Sequence, residues 1–203
     1  ESNVLNRRWL EEFGGLLGLR VSDLKSFPNV TEKDLISYTY PSDADLERVG
    51  VKGLFLGYYI PWDGLRNSLI ATANGFTSFY KNVEGSMVNY ENLDNHQTGI
   101  HDYFKFLKFG FGRTTDLASI HIRRNRISRK DGMQLVKNLE GKFPWTCLDK
   151  PLSEILKPIG IDEEQFIKVC DKFTNKKIFK RDKEGNLLKD REGNLTKVNY
   201  DNQ

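Results

Sequence analysis

Apolar residues recur at helical spacing from the start of the chain. Val4, Leu5, Trp9, Leu10 and Phe13 stand near i, i+4 intervals and predict a helix over Val4 to Phe13. The GGLLG that follows is a helix stop. Thr31 to Ser37 and Ser42 to Val49 read as two short helices. Thr31 and Ser42 are the N-caps, each with an aspartate (Asp34, Asp45) three residues later. GLFLGYYI, Gly53 to Ile60, is a continuous apolar and aromatic run closed by Pro61. That is the pattern of a strand buried on both faces, as in a parallel sheet. Asp63 can then cap a helix that carries Leu65, Leu69 and Ile70 and stops at Asn74-Gly75. Strand, short loop and helix make half of a βαβ unit. FTSFY is a candidate second strand.

After Gly85 the pattern changes. SMVNYENLDNHQTG is polar and irregular. Helical periodicity then predicts Ile100 to Phe109, Arg113 to Arg126, Ser128 to Leu139, Leu152 to Leu156 and Asp162 to Phe173. The last segment holds a near-repeat, Asp-Lys-Glu-Gly-Asn-Leu and Asp-Arg-Glu-Gly-Asn-Leu. Its Glu-Gly and Gly-Asn steps are turn chemistry and predict a small hairpin or meander. The fold class is α/β, divided into residues 1–85, a helical region 86–175 and a hairpin tail 176–203.

On a helical wheel Arg113, Leu117, Ile120, Arg124 and Ile127 fall on one stripe. An arginine on an apolar stripe either snorkels or holds an anion with its planar fork. Arg113 opens the helix directly after FGFG, Phe109 to Gly112. Free N–H groups and the positive dipole end favour an anion there, and Gly110 and Gly112 permit close backbone approach. A plain helix break is the competing reading, since FGFG lacks the spacing of a phosphate loop. Asp116 sits one turn from Arg113, with Arg123 on its flank.

Charge sharpens this. The net charge is only +3, yet His101 to Lys142 holds ten Lys/Arg against four Asp/Glu. A local basic segment suits a nucleotide-sized anion better than a DNA surface. His96, His101 and His121 do not pair at ligand spacing. His101-Asp102 is an acid/base candidate, with a surface pair as its plain alternative. Cys147 and Cys170 have no metal or disulfide spacing and read as buried thiols of a cytoplasmic protein. No apolar run reaches the ~18 residues of a membrane span. Glu1 in place of Met suggests a fragment or a processed chain.

Several stretches together resemble the carboxyl-terminal part of the N-acetyl sugar amidotransferases of lipopolysaccharide O-antigen and nonulosonic acid biosynthesis. They are EFGGLLGLRVSDL, YTYPSDADLERVGVKGLFLGYYIPWDG, VEGSMVNYENLDNHQTGIHDYFKFLKFGFGRTTDLASIHIRRNRISR and FTNKKIFK. The resemblance covers nearly the whole chain. It implies an ATP pyrophosphatase of the adenine-nucleotide α-hydrolase type. Residues 1–85 would be the end of its parallel nucleotide-binding sheet, 86–175 a substrate and partner region. ATP, with Mg²⁺, would adenylate the N-acetyl oxygen of a nucleotide-activated or acidic sugar. Ammonia from a glutaminase partner, similar to the subunit of imidazole glycerol phosphate synthase, would then give an acetamidino group.

The Ser-Gly-Gly-x-Asp-Ser loop of that family is not in the sequence, nor are its cysteine-rich amino-terminal residues. This chain is therefore expected to be the carboxyl-terminal half of the enzyme and inactive alone. The resemblance makes Arg113, Arg123, Arg124 and Asp116 candidates for nucleotide or phosphate binding. Tyr58, Tyr59, Trp62, Asp63 and His101 become candidates for the substrate pocket. A non-catalytic module that binds sugar or docks the glutaminase is the alternative. A nucleic-acid role for HIRRNRISRK has the charge but little aromatic interleaving.

Overall fold

In a computed structural model, which describes residues 3–13, 16 and 18–198, helices dominate and strands are very short. The chain divides into two units, residues 1–67 and 68–203.

The first unit opens with β1 (Val4–Leu5) and α1 (Arg7–Phe13). The predicted helix over Val4 to Phe13 therefore starts late. The Asn6 side chain accepts from the Trp9 amide at 2.9 Å and so fixes the start, while Val4 and Leu5 stay extended. The glycine stop at residues 14 and 15 lies outside the described residues. Next come α2 (Val21–Leu24), α3 (Glu32–Leu35), α4 (Asp43–Val49) and β2 (Gly53–Leu54). Ser42 caps α4 through the Asp45 amide at 3.1 Å, and left-handed Gly50 ends it.

The strand expected over Gly53 to Ile60 shrinks to β2, which pairs antiparallel with β1 (Val4 opposite Leu54, Leu5 opposite Gly53). Gly53 is required at that crossing, because a Cβ there would stand 2.9 Å from the Leu5 Cβ. Leu56 to Tyr58 turn into a 3₁₀ helix, with Gly57 at its centre. An apolar run reports a need for burial, not a strand, and here Leu54, Leu56, Tyr58, Tyr59 and Ile60 are exposed. Among the described residues no parallel pairing is present and both sheets are two-stranded and antiparallel. Of the described residues of this unit only Leu35 is fully buried.

The division falls within α5 (Gly64–Ala73), which the Asp63 carboxylate caps through the Arg66 amide at 3.3 Å. FTSFY is not a strand, although the Phe79 amide reaches the Asn89 carbonyl at 2.9 Å. The second unit then carries α6 (Thr98–Phe109), α7 (Arg113–Arg123), α8 (Arg129–Leu139), β3 (Thr146–Cys147), β4 (Lys150–Pro151), α9 (Leu152–Leu156) and α10 (Glu163–Phe173). β3 and β4 form an antiparallel hairpin.

α7 ends three residues before its predicted limit. Asn125 turns left-handed, and the Asn125 and Arg126 amides close back on Ile122 and His121, both at 2.9 Å. That is a Schellman stop with asparagine in the glycine place. Ser128 then caps α8. Gly132 lets α8 lie close on α7, since a Cβ there would meet the Ile122 Cδ1 at 2.7 Å.

The core gathers α6, α9, α10 and the start of the tail. Tyr103, Phe106, Leu107, Leu152, Leu156, Phe166 and Phe179 are all buried. The rings of Phe106 and Phe179 meet edge-on with centroids 5.2 Å apart. Among the described residues the tail is held by three isolated antiparallel bridges and follows the period of its repeat. Lys180, Leu188 and Thr196, eight residues apart, close a ring of backbone hydrogen bonds at 2.8–3.2 Å. Among the described residues no helix is long and apolar enough to cross a membrane.

Candidate functional site

The α6–α7 corner is built by its two glycines. Gly110 is left-handed and ends α6. Gly112 is extended and precedes α7, and it has no side chain to cap the helix. The first turn of α7 does receive an anion, and the anion belongs to the chain. Glu140, just past α8, places its carboxylate Oε2 2.9 Å from the Thr115 amide. A Cβ on Gly112 would stand 3.3 Å from the Glu140 Cγ, so the glycine makes room for this approach. The Glu140 side chain is only 3% exposed. Its Oε1 has no hydrogen bond, and the Lys197 ammonium stands 3.9 Å away.

Arg113 begins α7 and is half-buried. Its Nε donates to Asp102 Oδ2 at 2.5 Å and its second terminal nitrogen to Asp102 Oδ1 at 3.0 Å. This is a bidentate fork across the corner. The remaining terminal nitrogen lies 3.8 Å from the Glu91 carboxylate. The hydrogen bonds that Arg113 donates to Asp102 raise the guanidinium pKa above its usual value, burial opposes them, and the charges of Asp102 and Glu91 add to the rise. His101, exposed, approaches Asp102 Oδ1 with its Nδ1 at 3.2 Å.

Asp102, Arg113 and Glu140 border a cavity of about 250 Å³. Its walls are the 82–86 loop, the inner face of α6, the start of α7 and the 138–146 segment, with Tyr103 and Trp145 as aromatic surface. Glu84 shapes one wall by accepting from the Thr146 hydroxyl at 3.1 Å and the Leu148 amide at 2.9 Å. Thr114, fully buried, donates to the Gly85 carbonyl at 2.8 Å and ties α7 to the loop.

The sequence candidates separate. Arg113 and His101 belong to this network. Asp116 does not hold Arg113; its carboxylate pairs with Lys105, whose ammonium also lies over the Phe111 ring. Arg123 and Arg124 are exposed at the far end of α7, about 15 Å along the axis from Arg113. The buried face of α7 is Thr114, Leu117, Ala118 and His121, rotated from the stripe of the wheel. Tyr58, Tyr59, Trp62 and Asp63 lie in the first unit. The first three are exposed there and Asp63 is a helix cap.

Asp102, Glu91, Glu84, Glu140 and Trp145 were not read as a group from the sequence. One signal was available: Asp102 stands one turn before Phe106 on the buried side of α6, where an acid needs a partner. Among the described residues no group of three or more His, Cys, Asp or Glu side chains is placed to hold a metal ion.

Residues 74–192 match the family model described as LPS biosynthesis protein WbpG-like, C-terminal domain. The chain belongs to this family. The match covers more than half of the chain and includes α6 to α10 and every wall of the cavity. This is the carboxyl-terminal part of a WbpG-like protein of lipopolysaccharide biosynthesis, as the resemblance led one to expect at that level. No curated protein matches the chain.

Proposed function

We propose that this WbpG-like domain is the sugar-holding part of an ATP-dependent amidotransferase. In the reaction, the oxygen of a sugar N-acetyl group takes the adenylyl group of ATP and pyrophosphate leaves. Ammonia from a glutaminase partner then displaces AMP and leaves an acetamidino group. The observation that supports this chain's share is the Arg113–Asp102 fork on a cavity sized for one sugar ring. Drug-sized ligands need ~300 Å³ or more, so an intact nucleotide does not fit.

Trp145 and Tyr103 offer apolar surface to the ring, and carboxylates with spare lone pairs accept from its hydroxyls. Arg113, locked by Asp102, fixes the wall against which the ring is oriented. The phosphates of ATP do not fit at the Arg113 fork and the first turn of α7, which carboxylates of the chain already take, and among the described residues no group of three or more His, Cys, Asp or Glu side chains is placed to hold Mg²⁺. Their place, and the parallel sheet of an α-hydrolase domain, is proposed for the amino-terminal part of a WbpG-like protein.

The test uses the intact enzyme with its glutaminase. Arg113→Ala should lower sugar-dependent pyrophosphate release by about a hundredfold, the scale on which misplacing a substrate acts. Wild-type turnover in that variant would remove the cavity from the reaction.

A second reading is favoured by the first unit. Tyr58, Tyr59, Ile60 and Trp62 are exposed in sequence, Trp62 at 72%. Such a patch suits a protein partner, here the glutaminase. Sedimentation of the chain with that glutaminase, with and without Trp62→Ala, decides between docking and sugar binding as the main role.

A further inference from the structure

The outer face of α6 carries an aromatic ring among its lysines. Tyr103, Phe106 and Leu107 turn into the core, while Lys105, Lys108 and Phe109, at i, i+3 and i+4, share the opposite side. Phe109 is 60% exposed, and Phe111, past the corner, is 40% exposed. Their ring centroids are 6.1 Å apart. The Lys105 ammonium lies over the Phe111 ring at 4.9 Å, and the Lys108 ammonium over the Phe173 ring at 5.2 Å. Phe173 ends α10 and is also exposed. Three exposed phenylalanines and two lysines thus form one continuous patch where α6 and α10 end.

The chain that leaves α10 adds charge to this patch. Asn175 ties it to the end of α6, donating from its amide to the Leu107 carbonyl at 2.9 Å and from its side chain to the Lys108 carbonyl at 3.2 Å. Lys172 to Lys183 holds six Lys/Arg against one acid, Asp182. Lys176 borders a groove that Lys180, Arg181 and Lys183 also line, together with the exposed Leu188 and Val198. Asp116 pairs with Lys105, and Asp182 accepts from Asn186.

We infer that this end of the domain is a docking surface for a bilayer that carries anionic headgroups. The charge is complementary to such a surface, and clustered cations are drawn to it. Exposed phenylalanines beside lysines, whose long stems keep the ammonium in water, suit the headgroup boundary. A protein partner fits less well, because protein interfaces are depleted in lysine. Single-stranded nucleic acid stacks its bases on open aromatic faces, and here an ammonium stands over a face of Phe111 and of Phe173. The inference holds whichever ligand the cavity takes.

The full chain is sedimented with vesicles of phosphatidylglycerol and phosphatidylcholine in equal parts, and with vesicles of phosphatidylcholine alone, at low and at high salt. It should bind the mixed vesicles at low salt, bind the neutral ones at least about tenfold more weakly, and lose most of its binding at high salt. Lys108→Glu/Lys176→Glu should lower binding about twentyfold or more, at about fivefold per cation. Arg129→Glu/Lys130→Glu makes the same change in net charge on α8, in a basic stretch (residues 123–130) without aromatic residues, and should stay within about threefold of the wild type. Phe109→Ser should weaken binding about threefold or more, and it serves if the charge variant on the patch does not fold.

Equal losses in the two charge variants would mean attraction by net charge alone and overturn the inference. Wild-type binding that does not distinguish the two vesicles, or no binding to either, does the same. So does Phe109→Ser that binds like the wild type, because cations alone would then account for the binding. Polyuridylate bound by the wild type and not by Lys108→Glu/Lys176→Glu, without vesicle binding, would reassign the patch to nucleic acid.

Discussion

Glu140 caps a helix that begins 27 residues before it: its carboxylate accepts from the Thr115 amide at the start of α7. Gly112 can offer no side chain to that helix end, and a long-range carboxylate does the work of a local Ser or Asp. Glu140→Ala should therefore destabilise the protein by about 1–2 kcal/mol, read from urea unfolding. Glu140→Gln keeps an acceptor but loses the charge, and should cost less. Equal stability of the Ala variant and the wild type would mean that α7 needs no cap.

Gly110 answers to two constraints at once. Its φ is +76°, and a Cβ there would stand 2.8 Å from the Ile178 Cγ2. Gly110→Ala should cost about 1–2 kcal/mol for the left-handed backbone alone, with the clash in addition. Adding Ile178→Val removes Cδ1 and leaves Cγ2, so it should rescue little; Ile178→Ala should recover the clash and not the backbone cost. Full rescue by Ile178→Ala would show that the backbone conformation is not strained.

Much of the helical half was legible because local signals and tertiary contacts agree there. Ser128 and Asp162, the first residues of their predicted helices, cap them, and Leu152–Leu156 matches its prediction. The first unit was less legible. GLFLGYYI carries the apolar content of a buried strand, but periodicity cannot say which surface does the burying, and Gly57 admits a 3₁₀ turn. The buried face of α7 was hidden for a different reason. The wheel assumed that apolar residues mark the buried face of α7. Thr114 and His121 are buried instead, Thr114 because its hydroxyl finds the Gly85 carbonyl, and no local pattern announces a partner 29 residues away. FGFG did mark an anion, but the anion was Glu140.

Burial also controls the thiols. Cys170 is packed in the core, and burial, reinforced by the nearby Asp171 charge, pushes its pKa up to about 12. Burial raises the Cys147 thiol as well. In the unfolded chain a thiol titrates near ~8.5. Between those values the unfolded state loses its proton first, so stability is fully present below pH ~8.5 and falls as the pH rises toward about 12. One such group contributes a slope of at most about 1.4 kcal/mol per pH unit. Cys170→Ala should flatten, though not abolish, the alkaline decline in a series of urea titrations, because Cys147 shifts in the same direction. Neither thiol should react with a thiol reagent at pH 8 until the protein is unfolded. An unchanged alkaline slope in the variant would exclude Cys170 as a source.

The two repeats of the tail are nearly identical in sequence and unequal in what they hold. In each, an aspartate accepts from the amide and side chain of an asparagine four residues on, Asp182 with Asn186 and Asp190 with Asn194, at 2.8–3.0 Å. Each turn has a left-handed glycine, Gly185 or Gly193. Only the second touches the cavity wall. The Asn194 side-chain oxygen accepts from the Phe143 amide at 2.8 Å, and the Glu192 carbonyl accepts from the Trp145 indole at 2.8 Å. Asn186 makes no bond of that kind among the described residues, and it is exposed. Asn194→Ala leaves the part-buried Phe143 amide without its partner and should cost about 1–3 kcal/mol. Asn186→Ala loses only turn contacts open to water and should cost less than about 1 kcal/mol. The difference should also appear at the cavity: Asn194→Ala should shift the NMR signal of the Trp145 indole and Asn186→Ala should not. Equal costs, with an undisturbed Trp145 in both, would mean that the tail is an appendage and does not brace the wall.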